Sequence, residues 1–318
     1  MLQPARDVGA SPATTPSPLP AVSRDPVRLA AELARREALF RRLKPDNAAR
    51  IVFADPDHPR QTELAVVYLH GFSASQGEGE PQHRRLAVAF GANLVLNRFP
   101  GHGFDHGDAM QGLSAPALLA RAAEALAMGL TLGRRVVLVG TSMGASLCTA
   151  LAGTWPEHVA AVLAWSPGVK AFNEPLMRQL CLPGGVVEHD AATRIAHQNQ
   201  YWSLRIHRDG YRSLAALFDE VMQPALFRRV IAPYYMACYY RDEANQDPSA
   251  RVSAMLAMFD ALVTPAAHKR MDCFPNGAHV IASPWRSDCA EEVFQASLAF
   301  LRDVVGLVPA GNPSGATS

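Results

Sequence analysis

Residues 136–144 read VVLVGTSMG: a short β-branched run, then a glycine, a serine and a second glycine two places further on. A helix-forming stretch over 145–151 follows at once. This pattern predicts a strand buried on both faces that turns sharply into a helix. Small Gly140 and Gly144 flank Ser142 where neighbouring backbone packs so closely that a Cβ has no room. A serine in such a turn is strained, with its Oγ lifted clear of the sheet, which is the geometry of a nucleophile elbow. The segment therefore couples a fold class, α/β with a parallel sheet, to one reactive hydroxyl.

A serine hydroxyl attacks only when a base removes its proton and a third group holds that base. Of 11 histidines, His158, His189, His197, His207, His268 and His279 follow Ser142. Only His279 sits in a loop, FPNGAHVI, between an expected last strand over 269–274 and an expected last helix over 286–305. Pro275, Asn276, Gly277 and Ala278 make that loop small and bendable, so an imidazole can reach back over the sheet edge. The acid is less sharply marked. RDEANQDPSARV offers Asp242, Glu243 and Asp247. Asp247 precedes Pro248, which helps fix the backbone, and leaves room for a helix and one more strand before His279. Asp242 and Glu243 lie nearer the strand end and read equally well as solvated surface.

Acyl transfer also needs donors for the developing oxyanion. The apolar run 64–69 closes in His70-Gly71-Phe72-Ser73, where Gly71 permits a turn that aims the Phe72 N–H inward. The Met143 N–H, in the first turn after the elbow, is the second donor expected. His70 reads as structural, packed beneath this loop. His102 in FPGHG (99–103) reads as a brace near the same mouth.

The remaining elements alternate as a doubly covered sheet requires. Strands are expected over 51–53, 64–69, 94–97, 135–139, 159–165, part of 230–240 and 269–274. Helices are expected over 82–90, 115–128, 143–153, 251–262 and 286–305. Ligands of such sheets bind beyond the carboxyl ends of the strands, and Ser142, Asp247 and His279 all follow strands. The segment 169–227 breaks the alternation with irregularly spaced aromatic residues and is expected to be a lid, helical at least over 191–204 and 211–221. Residues 1–26, with six prolines among Ala, Ser and Thr, read as a flexible leader. A helix over 28–43 is expected within an N-terminal extension, 27–50. The main domain spans 51–308 and a loose tail 309–318.

Between 51 and 305 the chain resembles the α/β-hydrolase superfamily, in its serine carboxylesterase and monoacylglycerol-lipase-like branch. The resemblance rests on HGF (70–72), FPGHG (99–103), GTSMG (140–144), Asp247 and GAH (277–279). It implies Ser142 as nucleophile, Asp247 as orienting acid, His279 as base, and Phe72 and Met143 as oxyanion donors. It also implies hydrolysis without metal or organic cofactor. Many relatives end the penultimate strand in a glycine closely followed by the acid, whereas here Tyr239-Tyr240-Arg241-Asp242-Glu243 intervenes. That departure leaves Asp242 open as an alternative acid.

Composition narrows the partners. The 318 residues are 49% hydrophobic and 19% charged with net charge +1, enough for a large core and no electrostatic case for nucleic acid. No HExxH or other compact metal spacing occurs. Five scattered cysteines read as buried hydrophobes in a reducing compartment rather than a disulfide frame. Without an apolar run of about 18 residues, or an apolar N-terminal segment, the expectation is a cytoplasmic protein without stable membrane insertion. The expected substrate is a small or medium uncharged ester. Thioesterase, amidase or peptidase, C–C hydrolase and acyltransferase reactions use the same machinery, and a silent fold serving as a binding module is the alternative from another class. Oligomeric state is not encoded in any of these patterns.

Overall fold

An eight-stranded sheet carries the chain, and the computed structural model describes residues 17–310 of it. In chain order the elements are α1 (Pro26–Ala38), β1 (Arg50–Val52), β2 (Thr62–Leu69), α2 (Gln82–Ala89), β3 (Asn93–Leu96), α3 (Ala115–Leu132), β4 (Gly133–Thr141), α4 (Met143–Thr154) and β5 (Ala161–Trp165). An insertion follows, with α5 (Glu174–Leu180), β6 (Val186–Glu188), α6 (Ala196–Tyr201), β7 (Arg205–His207), α7 (Arg208–Ala216) and α8 (Pro224–Phe227). The sheet resumes with β8 (Tyr234–Asp242) and β9 (Asn245–Gln246), then α9 (Val252–Ala261), β10 (Lys269–Phe274) and α10 (Ala290–Asp303).

The strands run β1-β3-β2-β4-β5-β8-β10, with β9 paired antiparallel to β8. Apart from β1 and β9 every pairing is parallel. From β2 the chain passes outward to β3 and then returns to β4 on the opposite side of β2. This reversal of direction opens a crevice at the carboxyl ends of β2 and β4, where open α/β sheets bind ligands.

The period of two along the strands divides the core. Val67, Leu69, Val136 and Leu138 pack with α1, α3, α4 and α9 on one face. Val66, Tyr68, Val137 and Val139 pack with α2 and α10 on the other. All four residues of 136–139 are fully buried, and each such side chain contributes about 1.5–3 kcal/mol relative to exposure. The central strands read as continuous apolar runs for this reason. Helix α3 is the one described helix long and apolar enough to cross a membrane, yet most of it is buried against β2, β3 and β4.

Several sequence expectations need adjustment. The leader is described only from residue 17, and residues 1–16 lie outside the described residues. Residues 17–25 run along the body: Trp155 Nε1 donates to Ser17 O, Thr131 Oγ1 donates to Ser23 O, and Leu19 and Val22 pack on the core. The first helix ends at Ala38 rather than 43, because residues 40–47 form turns that tie Lys44 N to Gly103 O. The last helix starts at Ala290 rather than 286, behind turns closed on Ser283 O. Within 191–204 only Ala191–Thr193 and Ala196–Tyr201 are helical, and an unexpected β6–β7 pair crosses the insertion. Of the tail, residues 309–310 are described, with Ala310 N donating to Ala89 O, and residues 311–318 lie outside the described residues.

Candidate active site

At the end of β4 the backbone of Ser142 adopts φ 54° and ψ −119°, a conformation that costs an L-residue about 1–3 kcal/mol. Two contacts hold it there. Ser142 N donates to Trp165 O, and Gly168 N donates to Ser142 O. The flanking glycines are steric necessities: a Cβ at Gly144 would lie 1.8 Å from Leu69 O, and one at Gly140 would lie 2.5 Å from Ala145 N. Any side chain at Gly144 would push the first turn of α4 away from the end of β2. Ser142 is thereby presented above the sheet at the N-terminus of α4.

His279, in the loop after β10, points its Nε2 at Ser142 Oγ, 2.8 Å away. Its Nδ1 lies 2.7 and 2.9 Å from the two carboxylate oxygens of Asp247. Asp247 is fully buried, and its Oδ1 also accepts from Ser249 N and Ala250 N at 2.8 and 2.9 Å. A buried charge is tolerable when its lone pairs are filled in this way. Burial alone would lower the His279 pKa, but the Asp247 charge and hydrogen bond outweigh it and hold the imidazole above its ordinary value.

The turn that carries Asp247 explains the long spacing after Tyr240. Strand β8 overruns the sheet, reverses at residues 243–244, and returns as β9, with Tyr240 opposite Gln246 and Asp242 opposite Asn245. Asp247 N then donates to Tyr239 O, so the acid is brought back level with the sheet edge. Asp242 closes this reversal by accepting from Ala244 N, Asn245 N and Asn245 Nδ2. It is exposed and does not reach His279.

The two amides expected to face an oxyanion lie in the turn after β2 and at the start of α4. Phe72 N has no acceptor among the described residues, and Met143 N is one of the orphan donors of the first turn of α4. The partial positive end of α4 adds to that donor. His70 braces the turn from below: Nδ1 donates to Gly71 O, and Nε2 accepts from Phe99 N. Burial pushes its pKa well down, so it is a neutral bridge rather than a base. His102 Nδ1 donates to Pro100 O, and burial lowers that imidazole to about 4.

One acidic residue was absent from the sequence reading. Glu78 is 2% exposed and lines the same cavity as Ser142 and His279. Its Oε2 accepts from Gly71 N at 2.5 Å and from Tyr68 OH at 3.2 Å, and Tyr68 OH in turn meets Thr141 Oγ1 at 3.1 Å. Burial pushes the Glu78 carboxyl up to about 7 against these hydrogen bonds and the neighbouring His279. In sequence it stands in QGEGE, where glycines on either side suggest a solvated loop.

The cavity over Ser142 holds about 270 Å³. Its floor is Phe72, Glu78, Ser142 and His279, and its roof is Met177, Trp202, Tyr211, Leu214 and Phe218 from the insertion. A larger groove of about 790 Å³ runs beneath residues 19–27, and no Ser, Cys or His lines it. Volume alone does not locate the chemistry. The five cysteines are free. Cys238 and Cys273 lie on neighbouring strands with Sγ atoms 3.4 Å apart. Among the described residues no cluster of His, Cys, Asp or Glu is arranged to hold a metal ion.

No protein-family model matches the chain, and no curated protein matches it in sequence. Solved structures do match. One, from work on the metagenome-derived lipolytic enzymes LipS and LipT, is 18% identical, covers 82% of this chain and 99% of its own, and superposes with a TM-score of 0.66. The monoacylglycerol lipase of Paleococcus ferrophilus is 17% identical, covers 82% and 98%, and gives 0.61. The peroxisomal alpha-beta-hydrolase Lpx1 of Saccharomyces cerevisiae is 16% identical, covers 85% of each chain, and gives 0.56. At such identities the likeness establishes the fold: this chain has the α/β-hydrolase fold.

Proposed function

We propose that this chain is a serine hydrolase that cleaves carboxylic esters through an acyl-enzyme. His279 Nε2 takes the Ser142 proton as Oγ attacks the ester carbonyl, and the oxyanion rests on the Phe72 and Met143 amides. Asp247 holds the Nδ1–H tautomer and offsets the imidazolium charge. His279 then protonates the departing alcohol. Water, deprotonated by the same nitrogen, attacks the acyl carbonyl and releases the acid with Ser142 restored. No step calls for a cofactor or metal.

The observation that carries this reading is the unbroken line from Ser142 Oγ through His279 to a fully buried Asp247, at 2.8 and 2.7 Å. The lipolytic character of the structures it resembles supports an ester as the acyl donor. Residues 169–227 act in this reading as a lid, since their apolar side chains roof the cavity and exclude water from the acyl-enzyme. A 270 Å³ cavity is at the small end for ligand sites, which favours short and medium acyl groups. The test is a series of p-nitrophenyl esters with acyl chains from acetyl to palmitoyl. Turnover that peaks at short or medium chains is expected. No turnover across the series, or a steep rise toward the longest chains with interfacial activation, contradicts the reading.

A further inference from the structure

Two thiols that the proposed chemistry leaves unused meet where β8 and β10 run side by side. Cys238 and Cys273 are direct partners in the parallel register, and their Sγ atoms lie 3.4 Å apart. They are the one pair of thiols in hydrogen-bond contact among the described residues. Their surroundings differ. Cys238 is fully buried, whereas Cys273 is exposed on β10, the last strand in the sheet order. Paired strands lie about 4.7–4.9 Å apart, inside the range of Cα separations, about 4.4–6.8 Å, that a disulfide spans. Directly paired residues project from the same face, so the sulfurs need only side-chain rotation and a small approach of the strands to bond.

A hydrogen bond from the Cys238 thiol favours the thiolate of Cys273 and holds it down to about 7. The same contact, with burial, holds Cys238 up as the protonated partner. One sulfur is thus a nucleophile open to solvent and the other a thiol in contact with it, as in an attacking and a resolving cysteine. We propose that Cys238 and Cys273 form a modification site at which a hydroperoxide closes an intramolecular disulfide that reversibly slows the enzyme. With hydrogen peroxide, the Cys273 thiolate attacks one oxygen, the O–O bond breaks and hydroxide leaves. The Cys238 sulfur then attacks the sulfenic sulfur, the S–O bond breaks, and the hydroxyl departs as water with the Cys238 proton. Each sulfur loses one electron, and the peroxide gains two. The new bond joins the strands that carry the acid and the base: Asp247 N donates to Tyr239 O, next to Cys238, and β10 runs from Cys273 through Phe274 into the loop of His279. Drawing these strand ends together shifts Asp247 against His279. That consequence rests on the ester-hydrolase reading above, whereas closure of the bond does not.

The experiment treats reduced, full-length protein with hydrogen peroxide, digests one portion without reductant for mass analysis, and assays the other on p-nitrophenyl butyrate. A peptide pair joined through Cys238 and Cys273, lighter by two hydrogens than its parts, is expected. Over the same time course kcat should fall by about tenfold or more, since misplacing a catalytic group by about 1 Å costs up to about 100-fold. Dithiothreitol should remove the cross-link and restore the rate together. C273S changes only an exposed thiol, so it should turn over like wild type and resist peroxide. Absence of the joined peptides, or oxidation that stops at sulfinic acid on Cys273, overturns the assignment, and neither result depends on a variant. A disulfide that leaves kcat unchanged overturns it too, as does an equal loss of activity in C273S. Absence of turnover in the reduced protein removes the hydrolase reading and the slowing with it, while the mass of the joined peptides still decides the modification site.

Discussion

The floor and the roof of the cavity are built on different principles. The floor stands on the sheet: Ser142 ends β4, Phe72 follows β2, and His279 follows β10, so their positions derive from parallel strands buried on both faces. The roof consists of shorter elements, the six- and seven-residue helices α6 and α5 and α7 with its π-helical continuation Leu217–Val221, tied down by a few polar links. Ser203 N donates to Ser73 O, Lys44 Nζ donates to Trp202 O, and Leu204 N donates to Asp105 Oδ1. Geometry that must hold to a few tenths of an ångström sits on the rigid part. In the proposed reading, surfaces that need only fill space and exclude water sit on the part with shorter elements.

If that division is right, single changes in the floor should abolish turnover while changes in the roof should redirect it. His279→Ala should lower kcat by about 10⁴–10⁶, and adding Ser142→Ala should cost little more, because the two act as one unit. Additive losses would break the unit apart. Asp247→Asn should cost about 10²–10⁴ by favouring the wrong tautomer, whereas Asp242→Asn should cost less than about tenfold, since Asp242 only closes the β8–β9 turn. Comparable losses in both would return Asp242 to the site.

The pH profile sharpens the same contrast. If His279 is the base it works as neutral imidazole, so activity should rise with pH through the His279 pKa, and in wild type that limb should lie above the free imidazole's value of about 6.5. Asp247→Asn removes the charge that raises it, so the residual activity should show its acid limb at lower pH. A limb that stays in place would detach Asp247 from His279. Smallest of all, Phe218→Ala in the roof should change relative kcat/KM between acetyl and octanoyl esters by less than about tenfold, with kcat on the better ester nearly retained. A loss as large as that of Asp247→Asn would mean the roof positions the reacting atoms as well.

The same division decides what could be read before the structure. The VVLV run and its glycines placed the elbow because burial on both faces and the 1.8 Å approach of Leu69 O leave few alternatives at those positions. The loop of His279 was legible from its small residues between two regular elements. The path to Asp247 was not, because β9 is two residues long and has no periodicity to detect. Nor was Glu78, which is buried by contacts distant in sequence: Gly71 and Tyr68 bind it, and the Tyr201 ring lies against neighbouring Gly77. The β6–β7 pair escaped for the reason β9 did, each strand holding only three residues.

The proposal as a whole turns on whether Ser142 is a nucleophile. Folded wild-type protein treated with a fluorophosphonate and digested should carry one phosphonyl adduct, on the peptide containing Ser142. His279→Ala should label far more slowly, and Ser142→Ala not at all. An adduct elsewhere, or none on folded protein, would contradict the account at its centre.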